Sequence, residues 1–310
     1  MTAASDWAQA LSEWAIPEAI LASAPEPPWG FPVEVFVDHA RRMFDEGWAP
    51  THRRVAEVMP DGGTLLDVGC GAGAASLPVV PPVGCIVAVD EEATMLDALA
   101  TLATGLVPVQ LVQGRWPKVA KEAGHADVVV CANVLYNVAD VAPFLEALTE
   151  AASERVVLEL SSVHPQASLS PLWRQFWGLS RPERPSADDA DAVIREVVGV
   201  VPSVQRWSRP RSYLGERGPG SVAWVRRRLC LTDSSDEAIA ESLAQLPELS
   251  PAETVTLWWP GRGGRRAGAE MASEIATEMA SEIATEVASE IATEVDTEML
   301  AAERPPSKLQ

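Results

Sequence analysis

The amino-acid sequence predicts an α/β protein: a mostly parallel, seven-stranded sheet with helices on both faces, preceded by a helical cap. Three observations predict it. Between Thr64 and Leu160, five short apolar runs alternate with helical patterns, as expected of a parallel sheet covered on both sides. The first run ends in a glycine-rich loop, Gly69-Cys70-Gly71-Ala72-Gly73. Residues 1–60 ahead of it read as helix interrupted by proline.

Taken in order, Trp7, Leu11, Trp14 and Ala15 recur at helical spacing until Pro25, Pro27, Pro28 and Pro32 break the pattern. Further helices are expected over about 33–46 and 51–59. This preface is either a cap over a site or plain packing. Strands follow at Thr64–Val68, Cys85–Val89, Leu106–Val112, Ala126–Cys131 and Arg155–Leu160, with helices at Ala93–Ala103 and Val141–Ala152. Val200–Trp207 and Val222–Leu231 read as further strands, Asp236–Gln245 as a helix and Thr254–Trp259 as a last strand. One sheet domain is thus expected over 61–260. Residues 261–310 read as an acidic, low-complexity tail, in which Met271–Glu278, Met279–Glu286 and Val287–Glu294 differ only at the first position. Its apolar residues recur every four positions, so the stripe drifts around a helix and keeps no heptad.

Composition narrows the function classes. With 47% hydrophobic and 22% charged residues the chain is globular in type. Cys70, Cys85, Cys131 and Cys230 are scattered without C-x-x-C spacing, which suggests neither a zinc site nor a disulfide framework; no metal is expected. No uncharged apolar run approaches the ~20 residues of a membrane span. Met1–Ala10 lacks a basic segment followed by an apolar one, so a reducing cytoplasm is the expected setting. The formal charge of −20, of which −8 falls in residues 267–310, opposes nonspecific attraction to nucleic acid.

The chemistry sits in Thr64-Leu65-Leu66-Asp67-Val68-Gly69-Cys70-Gly71-Ala72-Gly73-Ala74, where a strand is expected to turn into a helix. Glycine suits such a turn because it takes unusual dihedrals and lets a ligand approach the backbone. A helix start behind it would offer unpaired N–H groups to a polar ligand. Spacing alone leaves two cofactor classes open: Gly69, Gly71 and Ala74 also fit a dinucleotide pattern, and an acid such as Asp90 after the second strand binds ribose in either class. Asp67 two residues before the first glycine, Gly73 closing the D-x-G-x-G-x-G run, and the long helical preface shift the balance away from NAD.

With these features the chain resembles the class I S-adenosylmethionine (SAM)-dependent methyltransferases, over roughly Pro50–Leu231. The resemblance implies a Rossmann-like fold and SAM as cofactor. It also implies that Gly69, Gly71 and Gly73 pack against the methionine moiety, that Asp67 orients its amino end, and that Asp90, beside Glu91, takes the ribose hydroxyls. The stretch Gln113-Gly114-Arg115-Trp116 matches the adenine contact, with Arg115 where the family has an acid and Trp116 able to stack on the ring. Asn133-Val134-Leu135-Tyr136 matches the residues beneath the methyl group. A closer resemblance, to a poorly characterised subgroup of stand-alone bacterial-type methyltransferases, rests on Trp14-Ala15-Ile16-Pro17, Trp29-Gly30-Phe31-Pro32, Gly73-Ala74-Ala75-Ser76-Leu77-Pro78, Gly114-Arg115-Trp116-Pro117 and Leu257-Trp258-Trp259-Pro260; it implies no acceptor.

The acceptor end is less specified. Tyr136 and His164 are the candidate catalytic residues, since ligands gather at the carboxyl ends of parallel strands and a histidine can serve as a base near neutral pH. The tetrad is not the Asn-Pro-Pro-aromatic pattern of enzymes that methylate exocyclic nitrogens. Trp173, Phe176 and Trp177 would either wall an aromatic pocket or pack in the core. Arg206, Arg209, Arg211, Arg217 and Arg226–Arg228 form the main basic region, read by default as a partly solvated edge strand. The expected activity is methyl transfer from SAM to a small molecule, with an NAD-type oxidoreductase or a non-catalytic SAM-binding module as alternatives.

Overall fold

A computed structural model of the chain describes residues 2–29, 32–208, 219–245 and 253–264; the repeat tail, Arg209, Arg211 and Arg217 lie outside them. The preface forms α1 (Ala3–Ser12), α2 (Glu18–Ser23), α3 (Val33–Asp45) and α4 (Pro50–Ala56). The alternating region gives β1 (Gly63–Val68), β2 (Val83–Asp90), α5 (Ala93–Ala103), β3 (Val109–Gln113), α6 (Ala120–Ala123), β4 (Ala126–Ala132), α7 (Val141–Ala151) and β5 (Ala152–Ser161). Then come α8 (Ser170–Trp177), α9 (Ala187–Val197), β6 (Ser203–Ser208), α10 (Pro219–Arg228), α11 (Asp236–Gln245) and β7 (Glu253–Pro260).

The seven strands lie in the order β3-β2-β1-β4-β5-β7-β6. β1 to β5 run parallel, and β7 enters antiparallel between β5 and β6. The central strands are apolar on both faces: every residue of β1 is buried, because helices cover both sides. On one face Leu65, Ile86, Val128, Val130 and Val157 pack with Val55 and Met59, at and just beyond α4, and with Leu96 and Leu99 of α5. α7 lies against β4 and β5 on the chain's way between them, and α9 and α1 pack with it. Leu66 and Leu158 are fully buried, so truncating either to alanine would cost ~2–5 kcal/mol.

Two local readings are corrected. No α-helix follows the glycine loop: residues 70–76 form turns, and a single 3-10 turn, Leu77–Val79, leads to β2. Pro78, Pro81 and Pro82 lack the N–H groups a helix needs, and α3 and α4 contact that turn instead. Val222–Leu231 is helix and not strand. Val222, Val225 and Leu229 fall at helical spacing and face a second core with Ile16, Leu172, Trp173 and Ile239. Arg226–Arg228 sit in the last turn, where cations complement the helix carbonyls. The seventh strand is therefore the Thr254–Trp259 run.

Candidate cofactor and acceptor site

The site begins where β1 ends. Gly69, Gly71 and Gly73 have φ of +70°, +49° and +85°. A Cβ on Gly69 would lie 2.3 Å from Val134 Cγ2, and one on Gly71 would lie 3.1 Å from the Phe36 ring. The loop thus runs between the start of the β4 tetrad and α3. α4 fixes its far side. His52 accepts from the Ala49 N–H at Nδ1 (3.1 Å), so its Nε2–H donates to the Ala74 carbonyl at 3.0 Å. Trp48 Nε1 donates to the Pro78 carbonyl at 2.8 Å.

Asp67 is 1% exposed, and its Oδ2 is buried with no hydrogen-bond partner. Burial pushes its carboxyl up to about 7; the Ser76 hydroxyl offsets part of this, and the nearby Asp90 charge adds to it. Asp90 accepts from Gly71 N–H at 2.9 Å through Oδ2 and from Glu92 N–H at 3.0 Å through Oδ1. A carboxylate has about four acceptor positions, so it retains capacity for hydroxyl donors. These residues fit SAM: a buried carboxylate with one unpartnered oxygen suits a cation, and an acceptor stands at the second strand's end beside a backbone bare of side chains.

Beyond β3, Gly114 (φ +154°) donates to the Asp90 carbonyl at 2.9 Å. Arg115 and Glu91 are both exposed and form an ion pair at 3.5 Å. Trp116 is 6% exposed, with Nε1 donating to the Phe144 carbonyl at 3.3 Å, so its ring is anchored in the body of the protein. A methyltransferase-domain family model matches residues 38–193, just over half of the chain.

The chain belongs to the class I SAM-dependent methyltransferases. Solved structures similar to this methyltransferase include the YcgJ protein of Bacillus subtilis, at 16% identity and TM-score 0.46, covering 69% of this chain and 99% of that one. Another is magnesium protoporphyrin IX methyltransferase of Synechocystis PCC 6803 with bound SAH, at 11% and 0.43, covering 73% and 93%. A third is a TehB-like SAM-dependent methyltransferase of Corynebacterium glutamicum, at 13% and 0.41, covering 74% and 98%. No curated protein sequence matches the chain.

At the carboxyl ends of β4 and β5, Asn133 stands just past the tip of β4 with φ +61°. Tyr136 stacks on Trp7 (centroids 5.6 Å) and meets His164 edge-on (5.2 Å), while its hydroxyl donates to the Ser161 carbonyl at 2.8 Å. Burial, with the charges of Asp189 and Asp188, raises its phenol well above the ordinary tyrosine range. His164 is 9% exposed, and burial beside the Arg181 charge lowers it to about 4. Its Nδ1 accepts from Gln166 N–H at 3.2 Å, which puts the neutral ring's proton on Nε2. Both rings are thus better placed as walls than as bases. Trp173 is core, packed with Leu172 and Leu229. Sequence reasoning missed Phe36, Thr51, His52 and Glu159. Glu159 alone carried a signal, as a carboxylate inside the apolar run Val156-Val157-Leu158-Glu159-Leu160.

Proposed function

We propose that this methyltransferase transfers the methyl group of SAM to a small molecule by in-line displacement, with the acceptor held at the carboxyl ends of β4 and β5. The reading rests on one observation above others: Tyr136 and His164, at that sheet edge, are covered by Trp7 and Trp14 of the preface, an enclosure that suits a small acceptor better than a polymer. Among the described residues, the arginines of the basic region that would hold a polyanion are engaged internally. Arg226 pairs with Asp236 at 2.6 Å, Arg227 donates to the Pro27 and Trp29 carbonyls, and Arg228 to Pro28.

SAM, when bound, supplies an already activated methyl, so the protein's task is binding, alignment and exclusion of water. In this reading Asp67 takes the ammonium end, and that charge draws its proton off. Asp90 accepts the ribose hydroxyls, and Gly114, Arg115 and Trp116 line the adenine end with Glu91 at its rim. Phe36 closes the glycine loop against solvent. With Nδ1 of His164 already accepting and the Tyr136 phenol held protonated, the acceptor is a nucleophile that attacks without losing a proton first, such as a neutral amine.

The test is transfer of labelled methyl to a cell extract split into low-molecular-mass, protein and nucleic-acid fractions. Label is expected in the first. Label confined to protein or nucleic acid would overturn the reading, and calorimetric binding of NAD without SAM would remove its basis.

A further inference from the structure

Glu159 is a carboxylate in the plane of the sheet, 3% exposed between Leu158 and Leu160. Burying such a group is costly unless donors surround it. Here Oε1 accepts from Asn133 Nδ2 at 3.2 Å, and Oε2 accepts from the Thr51 hydroxyl of α4. Asn133 is bound a second time, its backbone N–H donating to the Glu159 carbonyl at 2.8 Å. The Thr51 hydroxyl lies 2.9 Å from that of Thr256, which receives Trp207 Nε1–H at 3.0 Å. An indole only donates and a carboxylate only accepts, so the hydroxyls between them align toward Glu159.

Asn133 has the left-handed φ of +61° that side chains seldom adopt. The next residue, Val134, is the one whose Cγ2 occupies the space beside Gly69. The backbone turn at Asn133 therefore decides where Val134 meets the cofactor loop. We propose that Glu159 is a positioning residue of the cofactor site: it holds Asn133 in its left-handed turn, and so seats Val134 against Gly69, while Thr51 ties the same carboxylate to α4. The adjacent His52 secures the loop's other end at Ala74, so one helix turn governs both sides of the loop. The inference rests on the cofactor role proposed above for the glycine loop.

Binding of S-adenosylhomocysteine to the full chain, measured by calorimetry, tests it. Glu159→Ala is expected to weaken binding about tenfold, the size of coupling usual between residues of one network. Glu159→Gln should bind as the wild type does, since the amide oxygen still accepts from the Thr51 hydroxyl while its NH2 donates to Asn133 Oδ1 once the Asn133 amide turns over. A Glu159→Ala chain that binds normally overturns the proposal. If Glu159→Ala does not fold, Thr51→Val carries the test: a severalfold loss supports it and unchanged affinity overturns it. Amide exchange over residues 133–137 reads the same link without ligand. Faster exchange in Glu159→Ala than in Glu159→Gln is expected, and equal rates refute it. A wild-type chain that binds no S-adenosylhomocysteine would sink the assigned cofactor role, and the exchange result would still decide the role of Glu159.

Discussion

The His164 imidazole lies flat on the Trp14 indole, with ring centroids 3.9 Å apart and planes 13° from parallel. Trp14 is itself fixed, its Nε1 donating to the Arg184 carbonyl at 2.6 Å, and Arg181 rests over the other side of the cluster, 5.1 Å from the centroids of Trp14 and Trp173. A protonated imidazole here would be stripped of water and repelled by the Arg181 charge. Burial first, and that charge second, therefore favour the neutral ring.

The burial of His164 makes stability acid-sensitive. His164 falls from 6.5 to about 4 on folding, so between those values the unfolded chain holds more protons than the folded one. Its contribution is complete above pH 6.5 and is lost as pH falls toward 4. Phe at 164 keeps the stack and does not titrate. Between pH 8 and pH 5, His164→Phe is expected to lose about 2 kcal/mol less stability than wild type, measured by urea unfolding at the two pH values. Parallel losses would sink this account.

Asp67 works in the opposite sense. Its carboxyl rises from 3.8 to about 7 on folding, so the folded chain is the better proton binder, and stability from this group declines as pH climbs between those values. Binding of a cation requires the ionised form. SAM affinity should therefore strengthen from pH 6 to pH 8. Asp67→Asn should bind at least about tenfold more weakly, since a charge-assisted bond is lost, with a flat pH profile and a ligand-free form more stable than wild type at pH 8. Calorimetry and thermal melts across that range check all three.

Gly69→Ala places a methyl 2.3 Å from Val134 Cγ2 at a φ of +70°, and is expected to abolish measurable SAM binding. Adding Val134→Ala should recover part of it, because the steric clash is relieved and only backbone strain remains. Gly47 is the comparison, with φ +79° and nothing within 4 Å of an added Cβ. Gly47→Ala should lose about 1 kcal/mol of stability and no affinity.

His52→Ala removes the bond that ties α4 to the Ala74 carbonyl. Leaving that part-buried carbonyl short of a donor should cost about 1 kcal/mol, and SAM binding should fall severalfold. His52→Gln, able to reach the same carbonyl, should recover most of both. A variant with unchanged SAM affinity would show that the glycine loop holds its shape without α4.

Much of this arrangement was legible in the chain. The strands are short, apolar and separated by helical patterns, so five of them and α5, α7 and α11 fall where the residues place them. The glycine loop with Asp67 and Asp90 needs only local spacing. What could not be read lies across the chain. Proline in the run after Gly73 argued against a helix there, yet nothing local says that α3 and α4 would fill its place. Val222–Leu231 offered β-branched residues and three arginines, and the period of Val222, Val225 and Leu229 was the better guide. Thr51 and Glu159 meet across 108 positions, a distance at which one sequence carries no trace of pairing.

The arginines of α10 have a consequence for how the protein comes into being. Arg227 and Arg228 grip the carbonyls of Pro27, Pro28 and Trp29, some 200 residues earlier, and Thr256 meets Thr51 across 205. During synthesis the preface leaves the ribosome well before the groups that pin it and before the strand that completes the sheet beside β5. Contacts so remote in sequence form slowly, because a long loop must close before any of them is gained. The nascent chain therefore carries Trp7 until Tyr136 and Val138 are made and Trp14 until His164 and Arg184 are, and the preface gains its α10 anchors later still.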